Sequence, residues 1–259
     1  MKTSWKNNFK KAATSNLVFL VLAAFFVLAV WAIAYAVVRN HFVIPSPVDT
    51  VKEAFLLFAE TGFWRAFTQT ILRVLFAFLI SLALGLVFGF ISYLYPLFLR
   101  FFTPIIAVLR SLPTLAITLV ILLWTSPKSA PVVVAICALF PTLYTAVLNG
   151  LKGVDSDLVE LCDVYRVPFG RRLKQLYFPT LSVRLYRDGA AALSFALKLI
   201  VSAEVLSNTF LSLGSMMQSA AYSYLTARLF ALVLVVCVLG LIVETLGGVI
   251  ADKAERRAL

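Results

Sequence analysis

The residues of this sequence best placed to do chemistry are charged side chains inside apolar runs. Lys198 lies near the middle of one such run, where a cation costs about 2.5–3.5 kcal/mol on insertion scales and so must face protein or water. Ser194, Lys198 and Ser202 recur at the i, i+4, i+8 spacing of one helix face, and Glu204, Asn208 and Ser212 repeat that spacing further on. Lys198 and Glu204 fall about 120° apart around a helix, which argues against an ion pair between them. Two readings stand. Either Lys198, Ser202, Glu204 and Asn208 border a translocation path in which Lys198 attracts an anion, or the two charges pair structurally with other helices. Arg110 reads as structural, its long stem carrying the guanidinium to an interface, and Glu244 reads as interfacial.

Other chemistry is poorly served. The single histidine, His41, and the cysteines Cys137, Cys162 and Cys237 lie at no ligand spacing, so neither a metal site nor a disulfide framework is expected. No glycine-rich phosphate loop is present, so any ATP hydrolysis must belong to a partner and no cofactor is expected on this chain. A membrane-embedded enzyme would need converging nucleophiles, acids or metal ligands, which these spacings do not provide. The basic stretch 166–187 lacks the glycine-rich or aromatic platform of an RNA binder, which leaves docking or anionic-lipid contact and no nucleic acid.

The elements that must position these groups are membrane helices. Of the 259 residues, 62% are hydrophobic and 14% charged, against about 45–50% and about 25% in soluble domains. This excludes an ordinary water-soluble enzyme. Uncharged runs of about 20 residues predict an all-α membrane protein with six transmembrane helices, at about 17–38, 70–95, 104–125, 131–148, 189–211 and 228–250. The first follows Lys2, Lys6, Lys10 and Lys11 but exceeds a signal peptide's core and has no obvious cleavage site, so it reads as a retained span. Gly85-x-x-x-Gly89 lets the second span approach a neighbour closely, or is an incidental pair of small residues. Pro113 is expected to kink the third span, and Pro141 to interrupt the fourth. After the break at Pro45-Ser46-Pro47, an amphipathic helix from Val48 to Phe63 is expected on the outer surface, with Phe55, Leu56, Phe58 and Ala59 as its apolar face.

The net charge of +11 then orients the chain. With both termini cytosolic, the inner side collects Lys2, Lys6, Lys10, Lys11, Arg100, the basic residues between Lys152 and Arg187, and Lys253, Arg256 and Arg257. The outer side holds Arg39, Lys52, Arg65, Arg73, Lys128 and Arg228, of which Arg65 and Arg73 lie near an interface that their long side chains can reach, and the excess of cations belongs inside. The domain reading is a cytosolic tail 1–16, one transmembrane domain 17–251, and a cytosolic tail 252–259, in a multi-pass membrane protein.

The longest polar interruption, 152–188, exceeds what a helix hairpin requires. Asp155 or Asp157 can cap a helix whose residues Leu158, Leu161, Cys162 and Tyr165 share one face. Val167 before Pro168 stops it near Arg166, and Pro168 can start a second helix. That helix carries Phe169, Leu173, Leu176 and Tyr177 on its apolar side, and Pro179 is expected to end it. The result is a bent two-helix knuckle, with a solvated orienting loop as the plainer reading.

These residues resemble the cytosolic "EAA" loop of ABC-importer permeases, whose pattern is Glu-Ala-Ala, three residues, Gly, nine residues, then Ile-x-Leu-Pro. Glu160-Leu161-Cys162, Arg166 and Phe178-Pro179 occupy its positions, with Glu160 and Pro179 19 residues apart. Pro45-Ser46-Pro47, Thr70-Ile71-Leu72-Arg73, Arg110-Ser111-Leu112-Pro113, the run from Gly150 to Asp155 and Ala203-Glu204-Val205 resemble segments of the nitrate/sulfonate/taurine branch in order and spacing. Leu161, Cys162 and Leu176 depart from the pattern, and Arg166 stands where the family has glycine. A positive φ there costs a non-glycine residue about 1 kcal/mol or more, so the turn must differ or be strained.

The resemblance implies a type I ABC importer permease fold. It implies a subunit paired with a second copy, two cytosolic ATPase subunits and an extracytoplasmic binding protein, carrying a small organic or inorganic anion. Glu160, Cys162, Asp163, Arg166, Pro168, Phe169, Arg171, Arg172 and Pro179 are the expected ATPase-coupling residues. The alternative is an energy-independent channel or transporter.

Overall fold

The computed structural model of the chain describes Phe19 and residues 22–258, and at Phe169, Val183 and 254–258 the backbone alone. The expected tail 1–16 lies outside the described residues, as does most of the first turn of the first span. Helices α1 (Leu22–Val38), α2 (Pro47–Ala59), α3 (Thr61–Leu94), α4 (Pro96–Ser111), α5 (Thr114–Trp124) and α6 (Ala130–Lys152) lead into the knuckle helices α7 (Ser156–Val164) and α8 (Phe169–Arg172). A π-turn over Leu173–Tyr177, then α9 (Phe178–Ser207), α10 (Leu213–Tyr222) and α11 (Thr226–Ala258) complete the chain.

Among the described residues, four stretches are long and apolar enough to cross a bilayer: Thr61–Leu94, Ala130–Lys152, Arg184–Ser207 and Thr226–Lys253. α4 and α5 meet at 97° and make a fifth crossing only if the pair counts as one. The span expected over 104–125 is therefore two helices. Leu112 precedes Pro113, whose ring disfavours helical geometry before it, and Leu112 is extended at ψ 125°. Pro141, by contrast, does not interrupt α6. Neighbouring helices pack on both flanks of α6, which in a membrane bundle holds a proline-bearing helix together.

The core lies among α3, α6, α9 and α11, built from residues such as Leu139, Leu143, Ala196, Ile200, Leu232 and Val236. Gly85 and Gly89 are more than incidental. A Cβ at Gly85 would sit 3.0 Å from the Tyr144 backbone nitrogen, and one at Gly89 2.7 Å from Val147 Cγ1, so both let α3 lie directly on α6. Gly89→Leu is expected to lower the melting temperature of the detergent-solubilised protein, since overpacking costs about 1–3 kcal/mol. Gly62→Ala, with nothing within 4 Å of the new methyl, should leave it unchanged. The outward faces of α3 and α11 present Leu79, Val87, Leu241 and Leu246, apolar where a soluble protein would be polar and suited to acyl chains.

Two expectations at the end of the bundle away from the knuckle are corrected. The amphipathic helix ends at Ala59, and its buried residues are Thr50, Ala54 and Leu57, while Phe55, Leu56 and Phe58 turn outward. Residues 50, 54 and 57 form the i, i+4, i+7 stripe that packs on α11. Phe63 belongs to α3 and is fully buried. The span expected over 189–211 ends at Ser207, where Asn208 takes the left-handed cap conformation at φ 48°. α10 then starts from a capping box between Ser212 and Ser215. Asn208 and Ser212 are thus helix caps and do not continue a stripe from Glu204.

Candidate functional site

The knuckle is built by a helix stop carrying the wrong residue for its geometry. Asp155 caps α7, its carboxylate accepting the Asp157 N–H at 3.0 Å. At the other end the Arg166 N–H donates to the Asp163 carbonyl at 3.1 Å and the Val167 N–H to the Cys162 carbonyl at 2.9 Å. These two bonds define a Schellman stop, in which glycine is usual at the left-handed position. Here Arg166 occupies it at φ 51°. The turn keeps its shape and carries the strain. Arg166→Gly is expected to raise stability by about 0.5–1 kcal/mol, the left-handed penalty less the extra chain entropy of glycine, and Arg166→Val to lower it. Both effects are readable as melting shifts.

Arg172, expected to contact an ATPase, is committed within the knuckle. Its Nε donates to the Val167 carbonyl at 2.7 Å, its Nη2 to the Cys162 carbonyl at 2.9 Å, and its Nη1 pairs with Asp163. One side chain therefore satisfies open carbonyls at the end of α7 and locks α8 against it. Glu160 and Arg171 stand exposed, Cys162 is half-buried, and Pro168 supplies the carbonyl to which the Arg171 and Arg172 N–H groups bond. The Phe169 side chain lies outside the described residues.

The two halves of the knuckle differ in what they cover. α7 buries no residue, and Leu158, Leu161, Val164 and Tyr165 are all exposed, Tyr165 at 74%. The second half is welded to the bundle. Tyr177 is buried with Val147, Leu151 and Leu181, and its hydroxyl lies 3.1 Å from that of Tyr93 on α3. Pro179 does not end a helix here. The Phe178 N–H reaches back to the Leu173 carbonyl in a widened turn, which accommodates the proline, and the chain runs on into α9.

The intramembrane charges separate. Glu204 is fully buried and belongs to a closed network. Arg73 Nη1 donates to it at 2.8 Å, the Thr70 hydroxyl at 2.9 Å and the Gly214 N–H at 3.2 Å, while Thr70 accepts the Leu213 N–H at 3.0 Å. The carboxylate thus also sits at the N-terminus of α10, where anions are favoured. A Cβ at Gly214 would fall 2.4 Å from Glu204 Cβ, so only glycine admits this approach. Arg73, expected at an interface, is 10% exposed. It was the missed partner. The signal for it was Thr70 and Arg73 at i, i+3 on one face, opposite a carboxylate that needed a cation.

Lys198 is different. It has no hydrogen bond or ion pair among the described residues, and it lines a cavity of about 240 Å³ with Ser202, Thr114, Thr118 and Phe195. Asn208 lines another cleft, with Phe210, Ser212 and Ser215. Of the four expected path residues, Lys198 and Ser202 share one cavity and Asn208 lines another. Glu204 is neutralised by Arg73, so the cavity keeps an uncompensated positive charge, an arrangement that attracts anions.

Residues 81–256 match the family described as the binding-protein-dependent transport system inner membrane component. A Bacillus subtilis (strain 168) permease named for aliphatic sulfonate transport, SsuC, is 24% identical over 222 residues, covering 85% of this chain and 80% of that one. The glycine betaine transport system permease OpuAB of the same organism is 28% identical over 168 residues, 64% of this chain and 58% of its own. Among solved structures, the inward-facing MetNI methionine ABC transporter superposes with TM-score 0.61 at 16% identity, covering 74% of this chain and 94% of that one. An amino acid ABC transporter with histidines gives 0.61 at 16% identity over 81% and 97%. Each of these relatives is named for transport, two as permeases and two as ABC transporters. This chain belongs to the binding-protein-dependent transport system inner membrane component family, as the membrane-embedded permease subunit of an ABC importer.

Proposed function

We propose that this permease carries a small organic anion of the sulfonate type, driven by an ATPase that grips the knuckle between residues 155 and 179. The observation that carries the coupling is the exposed stripe of α7. The knuckle is locked internally by Arg172, yet its first helix has no buried residue among the described ones, and an apolar anchor rimmed by Glu160 and Arg171 suits a protein partner. A rigid knob held in a groove moves with that groove, which links nucleotide state to the pore. In this reading six spans place both termini in the cytosol as a single membrane domain, 17–251, between tails 1–16 and 252–259. Two copies pair, two ATPase subunits bind ATP below, and a binding protein delivers cargo from the other side.

The Lys198 cavity supports an anion over glycine betaine, the cargo in the name of the second relative. A quaternary ammonium is held by an aromatic cage, whereas this cavity offers one aromatic ring, Phe195, and a cation. The test is uptake into proteoliposomes carrying the permease with its co-purifying ATPase and binding protein. Ethanesulfonate uptake that requires ATP is expected. Flux without ATP would mean a channel, and preference for betaine would refute the anion.

A further inference from the structure

Arg110 is a cation that the path through Lys198 leaves out. α4 ends at Ser111, α5 begins at Thr114, and the chain turns by 97° between them. Two cavities flank this turn. On one side, Thr114 and Thr118 of α5 share the cavity of Lys198 and Ser202. On the other, Arg110 and Ser111 line an open cleft of about 550 Å³ with Thr103, Tyr144 and Thr145. The second cleft lies towards the knuckle, since it also includes Leu148, near the end of α6 at Lys152.

Arg110 is exposed and bonded across to α6. Its Nη2 donates to Thr145 Oγ1 at 2.9 Å and lies 3.5 Å from the Pro141 carbonyl. Thr145 in turn donates to that carbonyl at 2.8 Å, so its hydroxyl is free to accept from the arginine. The other guanidinium donors find no protein acceptor among the described residues, and Arg110 makes no ion pair there. A guanidinium held by one edge in a membrane cleft, with its remaining N–H groups open, presents a planar fork matched to an oxyanion.

We propose that this cleft is a second anion site, where Arg110 receives a small organic oxyanion after it leaves Lys198 and passes the α4–α5 turn. The inference rests on the cargo being an anion. It makes the turn at Leu112–Pro113 the divider between two cationic stations, each holding the cargo weakly enough to release it to the next.

The competing account is a structural staple between α4 and α6. Glutamine at 110 keeps a donor for Thr145 and loses the charge, while lysine keeps the charge and loses the fork. In the proteoliposome assay with radiolabelled ethanesulfonate, Arg110→Gln is expected to slow ATP-driven uptake about tenfold or more. Arg110→Lys, which keeps the charge without the fork, should fall between Arg110→Gln and the wild type. Each variant is first shown to co-elute with the ATPase. Wild-type rates in Arg110→Gln, beside an active wild type, overturn the site alone, and so does Arg110→Lys as slow as Arg110→Gln. A wild type that moves no ethanesulfonate with ATP takes down the anion reading and this site together.

Discussion

Purified Glu204→Ala permease is expected to lose most of its folded stability. Glu204 has no exposed surface and Arg73 only 10%, and removing one member of a buried pair costs about 3–5 kcal/mol because the other is left uncompensated. That is a large share of the roughly 5–15 kcal/mol that holds a typical domain together. The damage should spread, because the same carboxylate accepts the Gly214 N–H while Thr70 accepts that of Leu213. Loss of Glu204 therefore also loosens the start of α10. The measurement is thermal denaturation in detergent beside size-exclusion behaviour. The double variant Arg73→Met with Glu204→Leu should recover at least half of the lost stability, since it removes both charges and leaves none buried. A single variant as stable as the wild type would show that the network contributes nothing.

Glu160→Arg and Tyr165→Asp are expected to abolish ATP-driven uptake while leaving the permease inserted and folded. Both positions are exposed, Glu160 on α7 and Tyr165 at its C-cap, and substitutions at such sites usually change stability by no more than about 0.5 kcal/mol. In a docked interface the same changes are severe. A truncated or desolvated aromatic anchor costs about 2 kcal/mol or more, and an unpaired carboxylate there adds its own desolvation. The readouts are uptake, stimulation of ATP hydrolysis by loaded binding protein, and co-purification of the ATPase. Normal uptake by both variants would remove α7 from the docking surface.

The long apolar runs were legible in the sequence because the bilayer sets their length, and the knuckle was legible because Val167-Pro168 and the face of Leu158, Leu161 and Tyr165 are local signals. What failed was tertiary. Pro113 and Pro141 look alike in sequence, yet one divides a helix and the other does not. Pro179 could not be seen to continue into α9, because the π-turn that admits it has no signature in residue types. Arg73 looked interfacial until α9 and α10 folded over it. Among the expected coupling residues, Arg172 could be separated from Arg171 only by seeing which of two adjacent guanidiniums turns back onto Cys162 and Val167.

The widened turn at Leu173–Tyr177 is a slack ring in an otherwise regular coil. The Phe178 N–H reaches the Leu173 carbonyl over one residue more than an ordinary turn spans, so the surplus residue is taken up where it stands and the faces on either side keep their bearing. A one-residue deletion inside that ring is therefore expected to be borne locally, whereas the same deletion within α9 would rotate every position beyond it by about 100°.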